Sequence, residues 1–266
     1  MHITFLLTRR VPDRPSPVLL EVESLLCQAG HTVTGWIPED RLLRADTVDV
    51  EADLYVLKSH TEHALSYAAA LHDAGARVFN DFRACLLAQD KVTAARRLRE
   101  IGVPTPDTWV LQDPRHAVEL LEEGPLIVKP VRGHRGAGVH VVRTSEELAA
   151  IPAGTSPLIV QRHVPGPGED LKVYVAGDEV WAVRKPFDAM SFTRHGRPVP
   201  VTDEVREIAQ RVRGGVGLEL FGVDIIESPE GPEVVDLNYF PGYKGCPDPA
   251  GGIAQVLLTA LSAHEG

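Results

Sequence analysis

Short apolar runs alternate with amphipathic stretches over residues 1–88 of the 266-residue chain. Gly30 and Gly75 follow the amphipathic stretches, where a glycine commonly ends a helix. Strands and helices that alternate through short connections are typical of a parallel sheet covered on both faces. The pattern therefore predicts an N-terminal doubly wound α/β lobe. Its predicted strands are His2–Leu7, Thr32–Ile37, Leu54–Leu57 and Arg77–Asn80, and its predicted helices are Ser16–Ala29 and Glu62–Ala74.

The pattern changes over residues 89–163, which begin with a predicted helix at Asp90–Ile101. Gly102-Val103-Pro104-Thr105-Pro106 interrupts the chain, and Asp113-Pro114 has the N-cap and first-position residues of another helix. The loop Arg132–Gly138 contains three glycines. We expect a central α+β lobe with a glycine-rich lid. Its predicted strands are Thr108–Leu111, Leu126–Lys129, Val139–Val142 and Leu158–Gln161, with a helix at Ser145–Ala150.

Residues 164–266 predict a third lobe, also α+β. Gly177-Asp178 between two alternating runs is a strong hairpin signal. The chain ends in an apolar run that predicts a helix over Gly251–His264. The other predicted elements are strands at Asp170–Val175, Glu179–Lys185, Leu218–Glu227 and Glu233–Asn238 and a helix at Asp203–Val216.

Composition predicts a folded protein and favours the cytoplasm as its cellular location. The hydrophobic content is 44%, and the longest apolar runs are strand-sized, far below the ~20 residues of a membrane span. The N-terminus lacks the basic flank of a signal peptide. Three cysteines are too few for a disulfide framework or a structural zinc site. We expect a cytoplasmic protein with no membrane partner.

The net charge of −10 argues against nucleic acid as a partner, because nucleic-acid binding requires a basic face. Basic residues nevertheless gather in four loop-like places. These clusters are either solvated surface or, if the fold brings them together, a pocket for a small anionic substrate. They are Arg9, Arg10 and Arg14; Arg132, His134 and Arg135; Arg184 and Lys185; and Arg194, His195 and Arg197.

Two acidic residues and an amide lie inside apolar strands near the end of the chain. Asp224 is within one predicted strand, and Asp236 and Asn238 lie two residues apart on the next, so that both face the same side. If the strands are neighbours, Asp224 joins them. Three oxygen ligands without His or Cys suit Mg2+. The alternative is that Asp236-Leu237-Asn238 only begins a turn, but buried acids are costly unless they are paired or liganded.

Two lysines lie at element ends. Lys129 closes a strand just before the glycine-rich loop, and Lys91 opens a helix. A lysine beside a flexible glycine loop can hold phosphate oxygens while the loop N–H groups cap them. Either lysine taken alone is more often a surface residue.

In order along the chain, these features resemble the ATP-grasp superfamily, over essentially the whole sequence. The resemblance implies an ATP-grasp fold, in which two α+β lobes beside the N-terminal lobe clamp ATP, with ATP and Mg2+ as cofactors. The motifs that carry it are Asp90-Lys91, Gly102-Val103-Pro104-Thr105-Pro106, Val128-Lys129-Pro130, Ile159–Val164, the hairpin Asp170–Lys185, Asp224 and Asp236-x-Asn238.

The resemblance also implies roles for single residues. Asp224, Asp236 and Asn238 are implied metal ligands. Gln161 stands where the superfamily often has Glu, which departs from the pattern. The implied nucleotide contacts are Lys91, Lys129, Gly136, Gln161, Arg162, Val164 and Lys172.

Two subfamilies compete for the function. RimK-like carboxylate–amine ligases have a similar layout and pass through an acyl phosphate that an amine attacks. Their hairpin commonly begins Asp-(Ile/Leu)-Arg, whereas this chain has Asp170-Leu171-Lys172, and lysine is not a bidentate fork. In those ligases the arginine stabilises the acyl-phosphate region, and Arg184 remains available for that role in this chain.

The ATP-grasp inositol-phosphate kinases are more similar in the sequences of several short motifs. They supply the main prediction, which is phosphoryl transfer to an inositol phosphate. Lys172–Asp178 and Asp236–Tyr243, which includes Gly242, resemble their segments, although the chain is short for that family. Lys172, Arg184 and His134 are the predicted catalytic residues, and the predicted substrate residues are Arg9, Arg10, Lys58, His134, Arg184 and Gly242. The alternatives are the ligase, acting on a carboxylate plus an amine, and a non-catalytic ATP-binding module, which the complete ligand set disfavours.

Overall fold

The structure, a computed structural model that describes residues 1–10, 16–133, 138–186 and 196–263, begins with a parallel sheet. The sheet order is β2-β1-β3-β4, which is a doubly wound arrangement and confirms the predicted strand–helix alternation. Helices cover both faces, and for that reason all four residues of β3 are buried. The elements are β1 (His2–Leu6), α1 (Pro17–Gln28), β2 (Thr32–Trp36), β3 (Leu54–Leu57), α2 (Glu62–Asp73) and β4 (Val78–Phe79).

Two short helices, α3 (Phe82–Gln89) and α4 (Lys91–Glu100), connect the first sheet to the second. The sequence predicts α4 and misses α3. Asp90 both ends α3 and caps α4, where its carboxylate accepts hydrogen bonds from the Val92 and Thr93 amides at 3.0 and 3.1 Å. This cap fixes Lys91 as the first residue of α4.

The second sheet is antiparallel, with the order β5-β8-β6-β7. A ten-residue 3₁₀ helix, Pro114–Glu123, takes the place of the helix predicted after Asp113. The remaining elements are β5 (Thr108–Leu111), β6 (Leu126–Pro130), β7 (His140–Val142), α5 (Ser145–Ala150) and β8 (Leu158–Arg162).

The third sheet is antiparallel as well, with the order β11-β10-β9-β12-β13. The predicted hairpin at Gly177-Asp178 joins β9 to β10, whereas the short edge strand β11 is not predicted. Each predicted lobe thus holds one sheet, and the lobe boundaries at 88/89 and 163/164 stay predictions. The elements are β9 (Glu169–Ala176), β10 (Glu179–Pro186), β11 (Arg197–Val199), α6 (Asp203–Val216), β12 (Leu220–Ser228), β13 (Gly231–Tyr239) and α7 (Pro249–Ser262).

The first and third sheets share one continuous hydrophobic core, whereas the central sheet has a small core of its own. Asn80 joins the two larger units: its side chain donates to the Leu220 carbonyl at 2.8 Å and accepts from the Glu219 and Leu220 amides at 2.9 Å. The Tyr239 hydroxyl donates to the Ser59 carbonyl at 2.6 Å. The residues that form the central core are Ala117, Leu126, Val128, Val142, Leu148 and Val160.

The longest described helices, α6 and α7, have 14 residues each. A helix that spans a bilayer needs about 20 apolar residues. Within the described ranges, no helix is long and apolar enough to cross a membrane.

Candidate active site

One face of the third sheet carries the predicted metal ligands together with a lysine. Asp224 on β12 is directly opposite Asp236 on β13 and Lys172 on β9, and residues paired in this way share a face of the sheet. Asn238 lies on the same face, opposite Gly222. The sequence prediction that the two strands are neighbours is therefore confirmed.

Each carboxylate on this face is paired with a lysine. The Lys91 ammonium donates to Asp236 Oδ1 at 2.9 Å, and the Lys172 ammonium donates to Asp224 Oδ2 at 2.5 Å. Lys172 is also 3.3 Å from Asp170 Oδ2, so that it bridges two carboxylates. All five side chains are at most about a quarter exposed, which limits screening by solvent.

These contacts shift the pKa values of the paired groups. Burial works against the charged form of Asp236, but the neighbouring Lys91 and Lys129 ammonium groups outweigh it and hold the pKa of this carboxyl below its usual range. Burial also works against the charged form of Lys172, yet Asp224 and Asp170 raise the pKa of its ammonium group above the ordinary value. Asp236 and Lys172 are therefore both charged at neutral pH.

Lys129 reaches the site from the central sheet. Its ammonium group donates to the Val235 carbonyl at 2.9 Å, next to Asp236, and the residue is 8% exposed. Burial lowers the pKa of Lys129, Asp236 opposes that shift, and repulsion from Lys91 adds to it. A buried lysine that pairs only with a backbone carbonyl retains the capacity to bind an anion.

A narrow cleft between α4, the central sheet and β13 contains Lys91, Lys129, Gln161 and Asp236. Gln161 is buried and its amide donates to the Thr108 hydroxyl at 3.0 Å, so the side chain is fixed at the hinge. The structure thus brings together the predicted phosphate lysines, the hinge glutamine and one predicted metal ligand.

Arg162 does not join that cleft through its side chain. Its guanidinium donates to the Leu120 carbonyl, pairs with Glu123 and lies over the Trp109 ring at 5.2 Å, all on the outer side of the central lobe. The guanidinium faces away from the cleft, because successive strand residues face opposite sides and Gln161 faces the cleft. A backbone contact at Arg162, and the contact at the buried Val164, stay predictions.

Lys58 lies at the carboxyl end of β3 and reaches across to the third lobe. Its ammonium group donates to the Phe240 carbonyl at 2.7 Å, in the loop that follows β13. Burial lowers the pKa of Lys58 to about 8, and repulsion from Arg10 contributes. The predicted substrate residues Lys58 and Arg10 are therefore close to each other. Arg9 instead pairs with Asp40 on the first lobe.

The loop after β13 holds bulky residues in left-handed backbone conformations. Phe240, Tyr243 and Asp248 have φ values of 31°, 50° and 44°. Such conformations cost about 1–3 kcal/mol each and persist only where the surroundings impose them. Tyr243 is buried, and its hydroxyl donates to the Val175 carbonyl at 2.6 Å. The exposed predicted substrate residue Gly242 is thus held in a rigid loop.

Arg184 is on the wrong face of the third sheet for its predicted role. It is opposite Leu171, one residue away from the Lys172–Val183 pair, and its guanidinium pairs with Glu227 at 2.8 Å. The catalytic and substrate roles predicted for Arg184 are therefore not supported by its position, because side chains alternate along a strand.

The neighbouring Lys185 occupies the site face instead; the sequence analysis places it in a basic cluster and gives it no individual role. Lys185 is opposite Asp170 and 3% exposed, and its ammonium group makes no hydrogen bond or ion pair with any described residue. Burial lowers its pKa, with repulsion from Lys172 and Lys244 adding to the shift. The hairpin signal at Gly177-Asp178 could have found it, since counting back from a two-residue turn pairs Lys185 with Asp170.

Two predicted site residues, His134 and Gly136, lie outside the described residues. So do Arg14, Arg135, Arg194 and His195 of the basic clusters, so the four clusters are not seen together. Their roles stay predictions.

The donor set on the site face fits Mg2+. Within the described ranges there is no group of three or more His, Cys, Asp or Glu side chains that could hold a metal ion. Mg2+, however, commonly binds through one or two carboxylates together with substrate phosphates. Asp224 and Asp236 supply two carboxylates, and the half-buried amide of Asn238 makes no hydrogen bond to another described residue. The three assignments as metal ligands stay predictions.

Comparison with known proteins gives a family match. The RimK-like ATP-grasp domain family matches residues 88–260. A curated relative, the ribosomal protein bS6–L-glutamate ligase of Escherichia fergusonii, is 29% identical over 206 residues, which cover 71% of this chain and 69% of that protein. The name of this relative agrees with the ligase alternative and gives no support to the kinase prediction.

Solved structures agree on the fold. A RimK domain ATP-grasp protein from Sphaerobacter thermophilus matches with a TM-score of 0.77 at 20% identity, over 97% of this chain and 100% of that chain. The ATP-grasp ligase PsnB, complexed with a phosphomimetic variant of its minimal precursor, Mg and ADP, matches with a TM-score of 0.70 at 21% identity, over 98% of each chain. The fold is the ATP-grasp fold that the sequence motifs predict.

Proposed function

The chain belongs to the RimK-like ATP-grasp family, and from this membership we propose that it is an ATP-dependent carboxylate–amine ligase. The proposed reaction has two steps. A carboxylate oxygen of the acceptor takes the γ-phosphoryl group of ATP, so that the bond between the γ-phosphorus and the bridging oxygen breaks and ADP leaves. An amine nitrogen then bonds to the acyl carbon, the bond to phosphate breaks, and the nitrogen loses a proton.

One observation carries the proposal: Lys185 is a buried cation without an anionic partner among the described residues, on the same face as Lys172 and Asp224. A buried charge is costly unless a partner compensates it, and among the described residues Asp224 attracts Lys185 without forming an ion pair, so the position suits a bound anion. A carboxylate bound at Lys185 would lie beside the groups assigned to the phosphates. Acyl-phosphate formation requires this proximity of two anions, with cations between them.

Other residues of the cleft would hold the nucleotide. Lys91 and Lys129 would neutralise phosphate oxygens, and Gln161 would contact the base from the hinge. Asp224, Asp236 and Asn238 would hold Mg2+, which when bound neutralises the charge that develops on the transferred phosphoryl group. The ATP requirement follows from the family, and the metal assignment is part of the proposal.

For the acceptor, we propose the carboxylate of a peptide or protein, with an amino acid as the amine. Support comes from relatives, since one is named for the ligation of L-glutamate to a ribosomal protein and another is complexed with a precursor variant. Lys58 and Arg10 lie close together on the first lobe, and Lys58 contacts the loop after β13, so an anionic group of the acceptor there would meet two cations.

The kinase hypothesis depends on a group of free basic side chains, and the structure provides fewer of them than predicted among the described residues. An inositol phosphate is a polyanion and requires several free cations. Two residues assigned to grip it already have acidic partners, since Arg184 pairs with Glu227 and Arg9 pairs with Asp40. Among the described residues, the predicted substrate cations that remain are Lys58 and Arg10, and these two suit a monoanion better.

A hydroxylamine-trapping assay tests the proposal. The protein is incubated with Mg2+, ATP and hydroxylamine against a panel of peptides with free or amidated C-termini, and hydroxamate, ADP and phosphate are measured separately. A ligase yields hydroxamate and ADP only with a free carboxylate, and yields ADP and phosphate in equal amounts when an amino acid replaces hydroxylamine. The Asp236→Asn variant serves as the inactive control.

A second panel of inositol phosphates supplies the opposing outcome. ADP that forms without free phosphate, and only with an inositol phosphate, would mean that the enzyme is a kinase and that the ligase proposal is wrong.

A further inference from the structure

Lys91 and Lys172, both implied nucleotide contacts, form ion pairs with the carboxylates assigned to the metal. Lys91 contacts Asp236 at 2.9 Å, and Lys172 contacts Asp224 at 2.5 Å and Asp170 at 3.3 Å. The carboxylates and lysines of this face therefore neutralise each other.

We propose that Lys91 and Lys172 are exchangeable counter-ions of the metal ligands, and that binding of metal and nucleotide requires them to change partners. In the exchange, the lysines move from the carboxylates to the phosphate oxygens, and the carboxylates become free for the divalent cation. The proposal rests on the proposed function for its metal and nucleotide assignments, and goes beyond it by predicting how the free protein binds each ligand alone.

The exchange predicts that either ligand alone binds poorly. A divalent cation alone must displace two ammonium groups from half-buried carboxylates and leave them without partners. A nucleotide alone must take the same lysines and leave Asp224 and Asp236 uncompensated next to its phosphates. Uncompensated buried charge is strongly unfavourable in both cases, so only the two ligands together complete the exchange.

Lysine suits this role because its ammonium group is a compact charge on a flexible stem with three donors that can be redirected. Lys129 differs from the other two, since it donates to the Val235 carbonyl and holds no carboxylate. The exchange is therefore confined to the Lys91–Asp236 and Lys172–Asp170–Asp224 contacts.

The sharpest consequence concerns the free protein. Removal of a lysine that only binds phosphate would leave metal binding to the free protein unchanged. Removal of a counter-ion should tighten it, because the carboxylates lose the group that competes with the metal. For Lys172→Met we expect Mn2+ to bind the nucleotide-free protein about tenfold more tightly, a size within the usual range of coupling between two ligands.

The experiment measures free Mn2+ by electron paramagnetic resonance during titration of the nucleotide-free protein, and repeats the titration with saturating ADP. Mn2+ is used as the probe because it accepts the same oxygen ligands as Mg2+. Lys172→Arg keeps the positive charge and should retain the wild-type affinity. Lys58→Met is the matched control, since Lys58 donates to a backbone carbonyl and contacts none of these carboxylates.

ADP binding without metal is measured by calorimetry on the same variants, and should weaken in Lys172→Met. If Lys172→Met binds Mn2+ no more tightly than the wild type, the exchange is wrong. If thermal melting shows that this variant does not fold, Lys91→Met takes its place under the same criterion. If the wild type with ADP binds no Mn2+, the metal assignment of the proposed function fails instead.

Discussion

Lysine supplies the positive charge that the described residues bring to the active-site cleft. Lys91, Lys129, Lys172 and Lys185 come from four elements, and each is buried or nearly so. A lysine pairs with one oxygen at a time and redirects easily, whereas an arginine fixes two oxygens in a plane. This composition suits a site in which the cations have one set of partners before the ligands bind and another set afterwards.

The neighbouring residues 184 and 185 provide a matched pair of variants. We expect Lys185→Met to raise the KM for the acceptor carboxylate by roughly tenfold to a hundredfold, the effect of losing a hydrogen bond to a charged group. Arg184→Met, on the opposite face and paired with Glu227, should leave that KM within about twofold. Steady-state kinetics with the acceptor identified by hydroxylamine trapping measures both. An equal effect of the two variants would contradict the assignment by face.

The pKa of Lys58 predicts a pH dependence of acceptor binding. Because this pKa is about 8, Lys58 is protonated and attracts an anion below that pH, and becomes neutral above it. The acceptor Kd should therefore rise as the pH increases from 7 to 9. Binding titrations at each pH measure the trend without interference from the amine. Lys58→Arg, which stays charged throughout, should show a flat profile, and a similar slope in both proteins would rule out Lys58 as the titrating group.

At the scale of elements, Asn80 fixes the first lobe to the third. Its amide group satisfies the Leu220 carbonyl and two amides at the start of β12, all of them at buried or half-buried positions. The connection between β4 and α3 is thereby bound to the strand that carries Asp224. Substitution of Asn80 should therefore lower the free energy of unfolding of the protein.

For Asn80→Ala we expect a loss of about 3 kcal/mol in the free energy of unfolding, because several backbone groups lose their partners. Urea denaturation followed by circular dichroism measures the change. Gln28→Ala is the control, since Gln28 forms one exposed hydrogen bond to Ser24, and should change stability by less than about 0.5 kcal/mol. A loss below about 1 kcal/mol for Asn80→Ala would mean that water replaces these bonds.

Periodicity and turn chemistry predicted most of the elements because each carries its signal locally. The parallel first sheet, the hairpin of β9 and β10, and the pairing of β12 with β13 follow from alternation, glycine positions and residue spacing. The sequence does not predict helix α3, because Asp90 is both its last flanking residue and the N-cap of α4. No loop separates the two helices, so the pattern shows only the start of α4. The strand β11 has only three residues, and its pairing with β10 is a tertiary effect.

The site was predictable in type but not in detail. Asp224, Asp236, Asn238, Lys91 and Lys129 follow from residue chemistry at strand and helix ends. Lys185 required the register of the hairpin to be counted, and the ion pairs of Lys91 and Lys172 depend on distances between sheets that sequence spacing does not contain. The side chains of Arg162 and Arg184 face away from the site, because a one-residue step along a strand reverses the face.

At the scale of the whole molecule, two units of unequal stability meet at the cleft. The first and third sheets share a core that includes Leu57, Leu65, Phe221 and Leu257, whereas the central sheet packs on a much smaller cluster. Local opening is easiest where few apolar groups are buried. The central lobe is therefore the part that opens most readily.

Hydrogen–deuterium exchange measures this difference. Amides of β6 and β8 should exchange faster than those of β9 and β12, and ADP with Mg2+ should slow exchange in β6 and β8 most, because Lys129 and Gln161 lie on these strands. Uniform protection across the three sheets would contradict the division into two units.

The shared core also predicts the behaviour of a truncated chain. The family match begins at residue 88, but a fragment of residues 88–266 would expose the face of α7 that packs on α1. We expect the fragment to lack a cooperative thermal transition, as seen by circular dichroism. A transition within a few degrees of that of the full chain would mean that the third lobe folds without the first.

The joint core has a consequence for how new specificities can arise in this lineage. The first lobe faces the proposed acceptor, but recombination cannot readily exchange it for the first lobe of a relative. The incoming lobe would have to fit the core-facing side chains of the recipient's third lobe residue by residue. Change in substrate preference should therefore accumulate in the loops at the carboxyl ends of β1 and β3. The central lobe, with its separate core, is the piece that can be transplanted between relatives.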